Sequence, residues 1–88
     1  MLVVAAPNDQ GQARLGLAIS RKVSPRAVVR NRLKRLIREA FRQRRARLAA
    51  LDFVVVGRPG MASLPADELR AALYKHWEEL SRRSCARS

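Results

Sequence analysis

One cysteine, Cys85, is all that the 88-residue chain contains. A lone thiol builds neither a disulfide framework nor a zinc site, and it suits a reducing compartment such as the cytoplasm. Histidine is also single, His76, and reads as a packed residue beside Trp77 on a helix. The acids number only seven and are scattered, so no pair presents itself for metal-dependent hydrolysis. No P-loop, GxGxxG, CxxC or HExxH pattern occurs. The chain by itself does not read as a catalyst. Aromatic residues make up 5% of the sequence, too few for a base-stacking sheet or for bilayer anchors. The longest apolar run, Leu2 to Ala6, is far too short to span a membrane, and it lacks the basic segment of a secretory signal. These absences exclude secreted, transmembrane and zinc-finger proteins.

What is present is positive charge. Nineteen Lys and Arg against seven acids give a net charge of +12, enough to bind polyanions through field strength alone. The excess is concentrated. Residues 1–20 and 48–88 are close to neutral, whereas residues 21–47 hold twelve basic residues and one acid, Glu39. Nearly all the basic residues are arginine, the better side chain for bidentate phosphate contacts. The 48% apolar content supplies a core and argues against a disordered basic tail.

Leu2 to Ala6 reads as a strand ended by Pro7. Gln12 to Ser20 alternates, with Leu15, Leu17 and Ile19 on one face, and the two strands are expected to pair as a hairpin. Gly16 and Ala18 leave the other face bare. Ser24-Pro25 predicts a helix start, with Ser24 as N-cap, and the helix is expected to reach about Leu48. Val29, Leu33, Leu36, Ile37, Ala40 and Phe41 form its apolar stripe. Asn31, Arg32, Lys34, Arg35, Arg38, Arg42 and Arg45 spread over the opposite side. Arg30 falls at the edge of the apolar stripe, so its side chain must snorkel or find a partner. Phe53-Val54-Val55-Val56 predicts an interior strand, broken by Pro59-Gly60. A last helix is expected from about Leu64 or Pro65, with Ser81 to Ser88 as a frayed basic tail. This order of elements predicts an α+β protein, a single domain over residues 1–82 with a basic tail at 83–88.

The basic helix carries the functional reading. An ordinary solvated face mixes both signs of charge. Here the i,i+4 neighbours Arg30/Lys34, Lys34/Arg38 and Arg38/Arg42 repel one another, which a protein keeps only for use against phosphates. Arg21 and Lys22 close the second strand and Arg58 the third, so they would extend that surface; the plainer reading of Arg58 is an ordinary edge charge. A membrane or calmodulin target is disfavoured because the flanking strands make the helix part of a globular core. A major-groove DNA binder lacks a preceding helix at helix-turn-helix spacing, so no DNA partner is expected.

Arg14-Leu15-Gly16-Leu17-Ala18-Ile19-Ser20-Arg21-Lys22-Val23, followed by Ala27-Val28-Val29-Arg30-Asn31-Arg32-Leu33-Lys34-Arg35-Leu36-Ile37-Arg38-Glu39-Ala40-Phe41-Arg42, resembles the protein subunit of bacterial ribonuclease P. Asp52 to Pro59 resembles that family's following strand, and the likeness spans roughly residues 2–80. The resemblance implies a two-layer α-β sandwich with a small mixed sheet and a left-handed β-α-β crossover, against the usual rule. It implies an accessory subunit of an endoribonuclease that removes the 5′ leader from precursor tRNA. The catalytic groups and the magnesium ions would belong mainly to the RNA subunit, with no metal or catalytic residue on the protein. Arg26, Arg30, Asn31, Arg32, Lys34, Arg35, Arg38 and Arg42 would bind the RNA subunit, and Ser20, Arg21, Lys22 and Arg58 would lie near the leader. The family usually begins with a further helix and strand, whereas this chain opens at what looks like the second strand. The expectation is a start placed downstream of the natural one or a naturally short protein; in the short form a sheet edge is exposed and leader contacts weaken. The alternative function is a structural, ribosomal-type RNA binder with no processing role.

Overall fold

The computed structural model describes residues 1–86, and the side chains of residues 1–84. Strands β1 (Leu2–Pro7), β2 (Arg14–Ala18) and β3 (Leu51–Val56) form one sheet in the order β1-β3-β2. Helix α1 (Ala27–Arg44) joins β2 to β3, and helix α2 (Ala66–Ala86) closes the described chain. The α+β sandwich expected from the sequence is present, with both helices on one face of a mixed sheet.

The hairpin is not. β1 pairs antiparallel with β3, and β2 pairs parallel with β3 on its other side. The reason lies in the link between β1 and β2. A tight two-residue turn would hold them side by side, but residues 8–13 are enough to step across an intervening strand about 10 Å away in total. Asp52 anchors that step: its Oδ1 accepts from Asn8 Nδ2 at 3.0 Å and lies 3.7 Å from Arg14 Nε. The continuous apolar run of β3 is thereby explained as the central strand. Leu51, Phe53 and Val55 are buried under the helices, and Asp52, Val54 and Val56 are half-buried on the open face.

Helix α1 is shorter than expected at both ends. Ser24 does not cap it: its Oγ accepts the Arg26 N–H two residues on, at 3.3 Å, and the extended Arg26 takes the N-cap position without a side-chain bond. The first helical carbonyl is that of Arg26, which accepts from Val29 and Arg30. At the far end a 3-10 turn over Arg45–Arg47 replaces the last predicted turn and delivers Leu48 to the core. Leu33, Ile37, Ala40 and Phe41 form the buried underside of α1. Burying each large apolar side chain stabilises by about 1.5–3 kcal/mol, while each like-charge i,i+4 pair costs about 0.2–0.5 kcal/mol. Packing wins, and the cationic face is held helical by its underside.

Helix α2 packs Leu69, Leu73 and Trp77 into the same core, where Trp77 meets Phe41 edge-on at 5.2 Å. His76 beside it is half-buried. Asp67 and Glu68 lie in its first turn, favourable for the dipole. The frayed tail expected from Ser81 is helical as far as Ala86, and Ser81 is buried, its Oγ accepting the Ala49 N–H at 3.0 Å. The buried hydroxyl supplies an acceptor that a strand-entry amide would otherwise lack, which fixes the helix there. Arg87 and Ser88 of the expected tail, and the Cys85 side chain, lie outside the described residues.

Candidate nucleic-acid interface

Eighteen residues make α1 about 27 Å long, with one side given to the core and the other to cations. Arg26, Asn31, Arg32, Arg35, Arg38 and Arg42 are exposed, and Arg30 and Lys34 are half-buried. Among the described residues only Arg42 of this set has a carboxylate partner, Glu39 one turn away. Arg30 has found its partner in the backbone: Nη1 donates to the Ser24 carbonyl at 2.9 Å. Arg42 apart, these cations are therefore not neutralised among the described residues, which is the arrangement a phosphate-binding face requires.

The side chains fall into two rows. Arg26, Asn31, Arg32 and Arg35, with Val28 and Val29, line one cleft of about 480 Å³ over the N-terminal half. Lys34, Arg38, Arg42 and Arg45 wall a cleft of about 400 Å³ between α1 and β2, floored by Leu15, Leu17 and Phe41. Sequence reasoning placed Arg45 on the cationic side but not in the site. Its Nε donates to the Ala13 carbonyl at 3.0 Å, which brings the end of α1 to the start of β2. Nor did the alternation of β2 reveal that Leu15 and Leu17 stay only half-buried at an uncovered edge. Arg44 turns the other way, over the Tyr74 ring at 4.2 Å, while Tyr74 Oη donates to Gln43 Oε1 at 3.3 Å.

Ser20, Arg21, Lys22 and Arg58 are exposed at one end of the sheet. Ala18 pairs with Val56, so the parallel strands β2 and β3 finish side by side, and the Gly57 N–H donates to the Ala18 carbonyl at 2.9 Å. Arg58 follows the end of β3 closely, but β2 stops at Ala18, so Arg21 and Lys22 do not close that strand as expected: they lie in the turn beyond it, closed by the Val23 N–H on the Ser20 carbonyl, ahead of Arg26 at the N-cap of α1. Among the described residues, no three His, Cys, Asp or Glu side chains gather as metal ligands. Among the described residues the donor set therefore does not fit a magnesium site. No described helix is long and apolar enough to cross a membrane.

A small mixed sheet backed by two helices, one presenting a largely unneutralised cationic face, defines an α+β protein with a surface of the charge that suits a polyanion. The chain belongs to the Ribonuclease P family, whose profile matches residues 1–81. It is 49% identical over 83 residues to the ribonuclease P protein component of Methylococcus capsulatus, covering 94% of this chain and 65% of that protein. With the component from Thioalkalivibrio sulfidiphilus it shares 51% over 74 residues, 84% of this chain and 62% of that one. The chain therefore spans just under two thirds of the length of these relatives. The solved RNase P protein of Staphylococcus aureus superposes with a TM-score of 0.77 at 29% identity, over 89% of this chain and 71% of that one. That of Thermotoga maritima, solved with 1-(4-fluorophenyl)-2-thiourea, gives 0.78 at 29% identity, over 85% and 74%.

Proposed function

We propose that the chain is the protein component of a bacterial ribonuclease P. It would bind the catalytic RNA and assist magnesium-dependent removal of the 5′ leader from precursor tRNA. The observation that carries this reading is the run of cations on α1 that, Arg42 apart, have no carboxylate partner among the described residues, in a chain of this family. RNA-subunit phosphates fall to Arg26, Asn31, Arg32, Lys34, Arg35, Arg38 and Arg42, with Arg30 at their edge. Ser20, Arg21, Lys22 and Arg58 face the leader of the substrate. Magnesium would be held mainly by the RNA subunit and the substrate. Residues 1–82 act as one RNA-binding unit with a basic extension at 83–88, in the cytoplasm and away from membranes and DNA. Family membership gives the ribosomal-type alternative no support.

The test is reconstitution. Added at low salt to the ribonuclease P RNA of Methylococcus capsulatus, the protein should lower the magnesium needed for precursor tRNA cleavage and raise the rate at limiting magnesium. A cleavage rate equal to that of the RNA alone, at every magnesium concentration, refutes the reading.

A further inference from the structure

The loop between β2 and α1 is built to a fixed shape. The Val23 N–H donates to the Ser20 carbonyl at 3.0 Å, closing a turn, and the Lys22 N–H donates to Ser20 Oγ at 3.2 Å. Ile19, Val23 and Ser24 point inward and are buried, whereas Ser20, Arg21 and Lys22 point outward. Two outside groups hold it. From α1, Arg30 Nη1 donates to the Ser24 carbonyl; Ser24 is buried, and among the described residues its carbonyl has no other donor. From the end of β3, Gly57 lies so close that a Cβ there would stand 2.6 Å from Val23 Cγ2 and 2.9 Å from Ile19 Cδ1. Gly57 has no positive φ, so space and not backbone conformation demands glycine.

We infer that Arg30 is a positioning residue, which with Gly57 fixes the Ser20–Ser24 loop so that Arg21 and Lys22 stand ready beside Arg58 for an RNA phosphate chain. The RNA half of this inference rests on the function proposed above; the bracing half does not. Ordering a loop costs conformational entropy, and a loop ordered in the free protein spares RNA binding that cost. Arginine suits the task because one nitrogen of its planar fork can serve the carbonyl while the remaining N–H groups and the full charge stay available.

Amide hydrogen exchange on the free protein tests the brace. A hydrogen bond from a charged donor contributes enough that Arg30→Met should speed exchange of the Val23 amide by roughly ten- to a hundredfold, with the core Phe53 and Val55 amides speeding up by no more than the loss in global stability measured by urea unfolding. Unchanged Val23 exchange overturns the inference. Salt titration of binding to Methylococcus capsulatus ribonuclease P RNA tests the consequence. Losing Arg21 and Lys22 to alanine should lower the salt slope by about 1.4–1.8, at about 0.7–0.9 per contact. On that background Arg30→Met should lower it by distinctly less than it does alone; strict additivity makes Arg30 an independent phosphate contact and overturns the positioning role. Gly57→Ala, which removes no charge, should likewise speed Val23 exchange and weaken RNA binding, and wild-type behaviour removes Gly57 from the inference. Should that variant not fold, Arg30→Met still decides the matter. Should the wild type bind no RNA, the proposed function fails while the exchange result stands.

Discussion

Replacing Arg32, Lys34 and Arg38 together by alanine sets binding against stability. Lys34 and Arg38 take part in the like-charge pairs Arg30/Lys34, Lys34/Arg38 and Arg38/Arg42, and none of the three replaced residues has a carboxylate partner among the described residues. Relief of three such pairs, at about 0.2–0.5 kcal/mol each, amounts to about 0.6–1.5 kcal/mol of added stability, and alanine is also the better helix former. The buried underside, Leu33, Ile37, Ala40 and Phe41, is untouched. RNA binding moves the other way. Three lost phosphate contacts should flatten the plot of log affinity against log salt by about 2–2.7 units. Over a rise from 50 to 200 mM salt, the wild type should then lose roughly 20- to 40-fold more affinity than the variant. Urea unfolding and filter binding at several salt concentrations measure both quantities on the same preparation. A variant that binds with an unchanged salt slope removes this face from the interface. A variant that loses 1 kcal/mol or more shows that the cations hold the helix in place, and the separation between underside and outer face fails.

Ser81→Ala leaves the Ala49 N–H without its acceptor and should cost about 1–3 kcal/mol in urea unfolding; a change within about 0.5 kcal/mol, as for an ordinary surface site, means that the end of α2 is not docked. Trp77 is fully buried and its Nε1 has no hydrogen-bond partner among the described residues. Trp77→Ala should therefore cost about 3–5 kcal/mol as a cavity, while Trp77→Phe, which gives up no hydrogen bond, should cost well under half of that. Equal costs for the two would show that the indole N–H is satisfied after all.

Elements were legible in the sequence where one periodicity decided them. The underside of α1 follows from the spacing of Leu33, Ile37, Ala40 and Phe41, and the centrality of β3 from its unbroken Phe53-Val54-Val55-Val56. Strand partnership was not legible, because alternation says which face of a strand is buried and nothing about its neighbour. β1 and β2 look like a hairpin until β3 is known to lie between them. The helix start misled for a local reason: Ser-Pro is a strong cap signal, but a serine oxygen can equally accept the N–H two residues on, as Ser24 does for Arg26. In the candidate site, the charged residues themselves were readable from composition. Of their different tasks only that of Arg30 was signalled, by its place at the edge of the apolar stripe, and its partner proved to be the Ser24 carbonyl; Arg44 and Arg45 differ from Arg32 or Arg35 only in what the fold puts beside them, a ring at Tyr74 and a carbonyl at Ala13.

Those three arginines show how so charged a chain can hold a fold at all. Repulsion among like charges weakens a compact state in proportion to how many must stay close together, and α1 with its flanks gathers most of them. At both ends of the helix an arginine is turned to a neutral backbone acceptor, Ser24 at one end and Ala13 at the other, and each bond ties the helix to β2 or the loop that leaves it. Charge that would otherwise only repel is made to fasten the cationic element to its sheet. The cations left between these two ties, from Arg32 to Arg38, have no such internal use among the described residues. An RNA that neutralises them adds stability by mass action, about 2.7 kcal/mol at a hundredfold excess over its dissociation constant. That gain is comparable to burying one large side chain, so an RNA bound in this way would contribute to the fold on the same scale as a residue of the core.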